Sequence, residues 1–325
     1  INITISGTNP MCIGQSSELF FPVVDGTPPY NVSYLVDNIP ATANIDAFGN
    51  ISGTGGPLPI SPTNTTTYTL VSVTDDKGCT NILTDYAELV VHPLPDVIIS
   101  SPTAEICDQE TAYFDFEFTA GTGPWTIDYQ ANAIPQAPLQ LSNSLDVAPM
   151  SPGIATVYTF TAISDQHCNN TIQYTIPLAV NPLPIASIAG DWSICDDGST
   201  VPVIIEVNSG TQPYDIIYAI NTVNKLVSNV GFQHIINTNQ AGNYTIVNVT
   251  DDKGCSANNI SGSAYININP VPNAIFTAYP SNTDILDPIV NFVDQSIGHD
   301  TVIWNFGDGT TYGSAITNVE ISHVY

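Results

Sequence analysis

Two stretches, YTLVSVTDDKGCT (Tyr68–Thr80) and YTIVNVTDDKGCS (Tyr244–Ser256), spell almost the same thirteen residues. In both, apolar and polar side chains alternate as far as the threonine, the two-residue period of a half-buried strand. Asp-Asp-Lys-Gly is turn chemistry, with Gly78 and Gly254 at the positions that take a positive φ. The phrase therefore reads as a strand, a tight hairpin turn and a cysteine. A worn copy, YTFTAISDQHC (Tyr158–Cys168), lies between them, with one residue fewer in its turn and His167 in it. The three tyrosines Tyr68, Tyr158 and Tyr244 stand 90 and 86 residues apart. A fixed period of this size marks a repeat architecture.

Working outward, other landmarks recur in the same order. Each unit has an early cysteine: Cys12 in MCIG, Cys107 in EICD and Cys195 in SICD. After 14 or 15 residues comes GTPPYNVSY (Gly26–Tyr34), GTGPWTIDY (Gly121–Tyr129) or GTQPYDIIY (Gly210–Tyr218). Each unit closes on Pro-x-Pro, at Pro93 and Pro95, Pro182 and Pro184, and Pro270 and Pro272. The landmarks predict domains at 1–95, 96–184 and 185–272, followed by an unlike one at 273–325.

The units read as all-β. In YFDFEF (Tyr113–Phe118), Phe114, Phe116 and Phe118 share one face, and Asp115 and Glu117 the other. Gly, Pro, Asn, Asp and Ser clusters separate the strands, and no eleven-residue window keeps a clean helical period. Short strands and turns at this unit length predict a seven-stranded sandwich of immunoglobulin-like type. The aromatic after Gly-Thr-x-Pro (Tyr30, Trp125 or Tyr214) begins a strand and is expected over the core; a sugar-stacking platform is the functional alternative. Proline restricts itself and its neighbour, so the Pro-x-Pro linkers predict a semi-rigid rod of stacked units.

Composition narrows the partners. There are 30 acidic residues against three cations, Lys77, Lys225 and Lys253, for a formal net charge of −27. Nucleic acid needs a basic surface, which this chain lacks, and anionic membranes would repel it. The surplus suits a self-repelling extracellular surface. The chain opens without Met or a signal-peptide pattern, and we read it as an internal fragment of a longer, processed protein.

After Pro272 the landmarks stop. Phe292–Ser296 (with Asp294), WNFGDG (Trp304–Gly309) and HVY (His323–Tyr325) stand there instead. In that order they resemble the PKD domain, whose signature is F-x-D-x-S, W-x-F-G-D-G and H-x-Y; Asn305 departs from the Asp of many members. The first three units resemble the immunoglobulin-like and PKD-like repeats of large surface proteins exported by the type IX secretion system in gliding bacteria, the SprB-type adhesins among them. The resemblance implies a bacterial cell-surface, extracellular location. It implies as partners the neighbouring domains of one long chain, the secretion and gliding machinery, and surface glycans.

No H-E-x-x-H, G-x-S-x-G, Walker A or G-x-G-x-x-G occurs, so the chain does not read as an enzyme. His92, His167, His234, His299 and His323 are scattered, none at zinc-ligand spacing from another His or Cys. Asp75, Asp76, Asp251, Asp252, Asp294 and Asp308 are candidate calcium ligands and the only cofactor expectation; the alternative is turn chemistry at a solvated tip. Asp300–Val302 looks like a short O-glycan acceptor of these bacteria.

In an exported chain, two cysteines per unit read as disulfides. Pairing within units joins Cys12–Cys79, Cys107–Cys168 and Cys195–Cys255. Its difficulty is that early and late cysteines fall at opposite ends of a plain sandwich. Pairing between units, Cys12–Cys168 and Cys107–Cys255, is the second possibility, and free thiols are the third. The functional expectation is a structural stalk segment of a surface adhesin. A glycan- or partner-binding module, and an accessory region of a secreted hydrolase, are the competing readings.

Overall fold

The computed structural model describes residues 1–52, 55–314 and 320–325, and every regular element among them is a β-strand. The chain divides into two compact units, Ile1–Val180 and Asn181–Tyr325.

The first unit holds repeats one and two. In repeat one, Ser17–Phe20 pairs antiparallel with Ser6–Gly7 and Leu58–Ile60. The second sheet is built on Thr66–Thr74, the strand of the quoted phrase. It pairs antiparallel with Tyr30–Val36, Thr80–Ile82 and Tyr86–Leu89, and Tyr30–Val36 pairs onward with Ile39–Ile45. Repeat two repeats the plan. Ala112–Ala120 lies between Asp96–Ser100 and Leu145–Met150, while Thr156–Ser164 lies between Trp125–Ala131 and Asn169–Asn181.

The second unit holds repeat three and the unlike segment. Val201–Val207 is flanked by Ile185–Ala189 and Gln233–Thr238, and Gly242–Asp251 by Tyr214–Ile220 and Ala264–Asn269. The last segment has a sheet of Phe276–Tyr279, Ile289–Asp294 and Glu320–Val324, and a hairpin of Val302–Asn305 with Thr311–Ser314.

Two sheets with the third strand paired to the sixth define an immunoglobulin-like sandwich, three times over. Part of the excess over the expected seven strands arises because the first strand of each repeat is interrupted before it reaches the early cysteine. In repeats one and two the break falls at Pro10 and Pro102, and in repeat three at Gly190 with φ +134°. Proline cannot continue a ladder and glycine bends it, so the chain leaves one sheet and joins the other. In repeats one and three it joins parallel to the last strand, pairing Cys12 with His92 and Cys195 with Asn269.

Alternation decides what each sandwich buries. Phe114, Phe116 and Phe118 enter the core of repeat two with Phe160, while Asp115 and Glu117 stay outside. Leu19, Val32 and Leu70 do the same in repeat one, and Val203, Ile205 and Tyr244 in repeat three. Each such burial stabilises by about 1.5–3 kcal/mol.

Candidate functional site

The quoted phrase does its work at the tip of each sandwich. Asp75 Oδ1 accepts from the N–H of Lys77 (3.1 Å) and Cys79 (2.8 Å), closing the hairpin turn. Its Oδ2 accepts from the N–H of Thr27 (3.3 Å) in the Gly-Thr-x-Pro turn, and the Asp76 N–H donates back to the Thr27 carbonyl (3.0 Å). In repeat three Asp251 holds Lys253 (3.0 Å), Cys255 (2.9 Å) and Thr211 (2.9 Å), and Asp252 returns a bond to Thr211 (3.0 Å). Repeat two keeps the clamp despite its shorter turn: Asp165 accepts from His167 (2.8 Å), Cys168 (2.6 Å) and Thr122 (2.7 Å). One carboxylate thus joins two turns far apart in sequence, which is why both motifs travel together.

The charge belongs to the clamp. The Cys79 N–H, opposed by burial and reinforced by Thr27 and Lys77, holds the Asp75 carboxyl below its ordinary range. For Asp165 burial works against the charge, but the N–H groups of Cys168, Thr122 and His167 outweigh it and the carboxyl titrates low. Glycine is needed opposite. Gly121 has φ +94°, and a Cβ there would stand 2.6 Å from Asp165 Oδ2 and 2.9 Å from Pro95. The aromatics that follow are core residues: Tyr30, Trp125 and Tyr214 are all buried, and Trp125 stacks on Phe118 at 4.1 Å. Buried rings offer no sugar platform.

The cysteines correct the within-unit pairing. Cys12 is bonded to Cys168, with Cα atoms 5.9 Å apart, and not to Cys79. The reason is topological. The Met11–Cys12 strand lies parallel to Val91–His92, so Cys12 sits where repeat one hands over to repeat two. Cys79 lies at the other end, where the nearby Asn81 donates to the Ile1 carbonyl (2.8 Å). Cys107 and Cys255 are disulfide-bonded as well. Cys79 and Cys195, expected in bridges, are instead free and exposed.

Around the Cys12–Cys168 bridge the joint is tightly made. His92 and His167 stack with centroids 3.8 Å apart and planes 4° from parallel. Asn170 Nδ2 donates to the Pro95 carbonyl (3.0 Å). No sequence pattern announced the histidine stack: it joins a linker residue to a turn residue of the next repeat. The clamp could have been suspected, since the segment after Pro272 lacks both of its motifs.

The other acidic candidates are spread out. Asp294 is buried, accepts from the Ser296 N–H (2.9 Å) and lies 3.1 Å from His299 Nε2. Asp308 accepts from Thr310 N–H and Oγ1 and pairs with His323 Nε2 at 2.8 Å. His323 stacks on Phe306 at 4.1 Å, so the W-x-F-G-D-G and H-x-Y motifs meet through one imidazole. The side-chain and backbone groups of Thr310, with His323, hold the Asp308 carboxyl at about 2. Asp76 and Asp252 are exposed beside their clamps. Among the described residues, no group of three or more His, Cys, Asp or Glu is arranged to hold a metal ion. Among them, too, no helix is long and apolar enough to cross a membrane.

No family model matches the chain. Among curated proteins it is similar to nucleoporin POM152 of Saccharomyces cerevisiae, 25% identical over 170 residues, covering 46% of this chain and 12% of that protein. The chain therefore spans only about an eighth of that relative's length. Among solved structures it is similar to an I-band fragment of titin, at 15% identity and a TM-score of 0.48, covering 82% of this chain and 97% of that one. The N-terminal four Ig domains of Dscam1 align at 13% identity and a TM-score of 0.25, covering 82% and 74%. Murine CEACAM1b aligns at 14% and 0.31, covering 55% and 100%. The strand pairing defines the class on its own terms: an all-β chain of tandem immunoglobulin-like sandwiches.

Proposed function

We propose that this chain is a structural stalk segment of a bacterial cell-surface adhesin that serves attachment and gliding. The observation that carries the reading is the Cys12–Cys168 bridge, which ties one repeat to the next instead of closing a single sandwich. A binding module needs a presented site. A stalk needs joints that resist being pulled apart, and a covalent tie beside a stiff proline linker supplies one. Disulfides of this kind belong to an oxidising, extracellular setting, and a net charge of −27 keeps such a surface soluble. On this reading the four predicted segments are consecutive domains of a longer chain, its role is mechanical rather than catalytic, and its aspartates act in turns rather than on calcium. Export by the type IX system and a part in gliding follow from the resemblance of the repeats and of the PKD-like segment.

The test is made on intact cells. Antibody against this chain should label unpermeabilised cells, and deletion of the gene should abolish surface attachment and spreading. Labelling only after permeabilisation would overturn the reading.

A further inference from the structure

Repeat three differs from its sisters at one sheet edge. In each repeat the segment after the Gly-Thr-x-Pro strand forms the rim of its sheet: Ile39–Ile45 in repeat one, Ile134–Pro135 with Leu139–Leu141 in repeat two, and Val223–Val230 in repeat three. Proline interrupts the rim in the first two, at Pro40, Pro135 and Pro138. Proline lacks the N–H that an added strand would need, and so blunts an edge. Val223–Val230 contains none. Its ladder with Tyr214–Ile220 is regular over Val223–Val227 and bulges only beyond, where Asn229 has φ +59°. Among the described residues, no strand pairs with its outer side.

Charge supplies the second, independent observation. Residues 216–250 hold no Asp or Glu, the longest such run in the chain, and carry one lysine, Lys225. Val223, Leu226 and Phe232 are more than half exposed there, and Ile235 nearly half. Ile235 belongs to Gln233–Thr238, the rim of the other sheet, which the chain enters directly after Gly231 and Phe232. The two rims of one sandwich therefore present acid-free, apolar edges on a chain of net charge −27.

We infer that this rim docks a second copy of the chain, with Val223–Val227 pairing antiparallel to the same stretch of its partner about a two-fold axis. Charge selects the occupant. A cationic partner would settle on the acidic surface that the rest of the chain offers, whereas another acidic chain is repelled there and not here. An isologous contact joins the two acid-free edges and keeps the carboxylates of both copies outside it. Main-chain hydrogen bonds supply the affinity. Lys225 sets the register. A pair centred on Lys225 would bring like charges face to face, whereas one centred on Leu226 sets each lysine opposite Val227 of the other copy and lets the exposed leucines cover each other. The strip is short, so it buries less than the roughly 1,200 Å² of a stable complex and the pair is weak and reversible. The inference stands apart from the adhesin reading, because it concerns two copies of this chain whatever they serve.

The test is sedimentation of the whole chain, with the Cys79 and Cys195 thiols alkylated so that no disulfide dimer forms. A reversible dimer should appear as the concentration rises toward about 1 mM, and added salt should strengthen it by screening the two acidic bodies. Hydrogen exchange over the same range should slow at Val223–Val227 and not at Ile39–Ile45. Leu226→Asp should weaken association about tenfold. Leu226→Lys should weaken it as well, although it reduces the net negative charge. Ile134→Asp, equally exposed on the rim of repeat two, should change it by less than about twofold. All three side chains are exposed, and equal melting temperatures check that the variants fold. A monomer throughout, which would leave the rim to a foreign strand, overturns the inference. So does a dimer with unchanged exchange at Val223–Val227, equal weakening by Ile134→Asp, or stronger association of Leu226→Lys.

Discussion

Asp251 holds three backbone N–H groups and joins the hairpin tip to the Gly-Thr-x-Pro turn 40 residues earlier in the chain. Removing the acceptor leaves those donors in a site where the side chain is nearly buried. Asp251→Ala should therefore cost about 2–3 kcal/mol in chemical denaturation, and Asp251→Asn, which keeps one oxygen acceptor, clearly less. A shift within error for the alanine variant would mean water replaces the clamp at no cost. Asp308 gives a pH dependence with a definite sign. Its folded pKa, about 2, lies below the ordinary aspartate value of 3.8. Its contribution is thus complete above about pH 4 and is lost as the pH falls toward about 2. Asp75 and Asp165, also held low, act in the same direction. The melting temperature should fall across that window, and Asp308→Asn should flatten the fall. An unchanged slope would show that Asp308 is not bound as described.

At the scale of the element, the turns are more demanding than the strands. A strand tolerates any alternation that keeps the apolar face inward, which is why TLVSV and TIVNV serve equally well. The Gly-Thr-x-Pro turn has no such latitude. Gly121→Ala would place a methyl group in a left-handed backbone, 2.6 Å from the clamp carboxylate and 3.0 Å from the Pro95 backbone. It should destabilise repeat two by more than the roughly 1 kcal/mol of the backbone alone, with the excess read as a lowered urea midpoint. Phe116→Ala, by comparison, should cost about 3–5 kcal/mol from the cavity it opens.

This contrast explains what could be read from the chain beforehand. Strand, turn and aromatic core positions are local signals, and YFDFEF or DDKG announces them within a few residues. The repeat period then multiplies each signal threefold. The break of the first strand into two was not legible. It depends on Pro10, Pro102 and Gly190 in combination with a sheet edge elsewhere that can accept the second half. The direction in which the early cysteine points follows from that break, so local sequence signals do not distinguish the two pairing schemes. The histidine stack at the first joint depends on the same handover.

For the molecule as a whole, two features act at long range. The first is charge. With three lysines against 30 carboxyl groups, most of the acidic surface has no cation to face. Raising the salt from about 10 mM to about 150 mM shortens the Debye length from roughly 30 Å to roughly 8 Å and should raise the melting temperature by a few degrees. A fall on adding salt would point to ion pairs rather than repulsion. The second is the covalent tie. The Cys12–Cys168 bridge closes a loop with a sequence separation of 156 residues. In the chain-entropy model that constraint amounts to about 5 kcal/mol, spread over both repeats of the first unit. Reduction, or Cys12→Ser, should lower the stability of that unit, whereas Cys79→Ser should leave it unchanged.

Which cysteine Cys12 holds decides whether the repeats are tied to each other, and peptide mapping without reduction reads that directly. The unreduced, denatured protein should first show two reactive thiols, Cys79 and Cys195. Digestion should use an Asp- or Glu-directed protease, because trypsin has only three sites. The digest should then contain a linked peptide pair carrying Cys12 and Cys168, which separates only on reduction. A linked pair carrying Cys12 and Cys79 would contradict the account, returning the bridge to a single sandwich and leaving the joint without its tie.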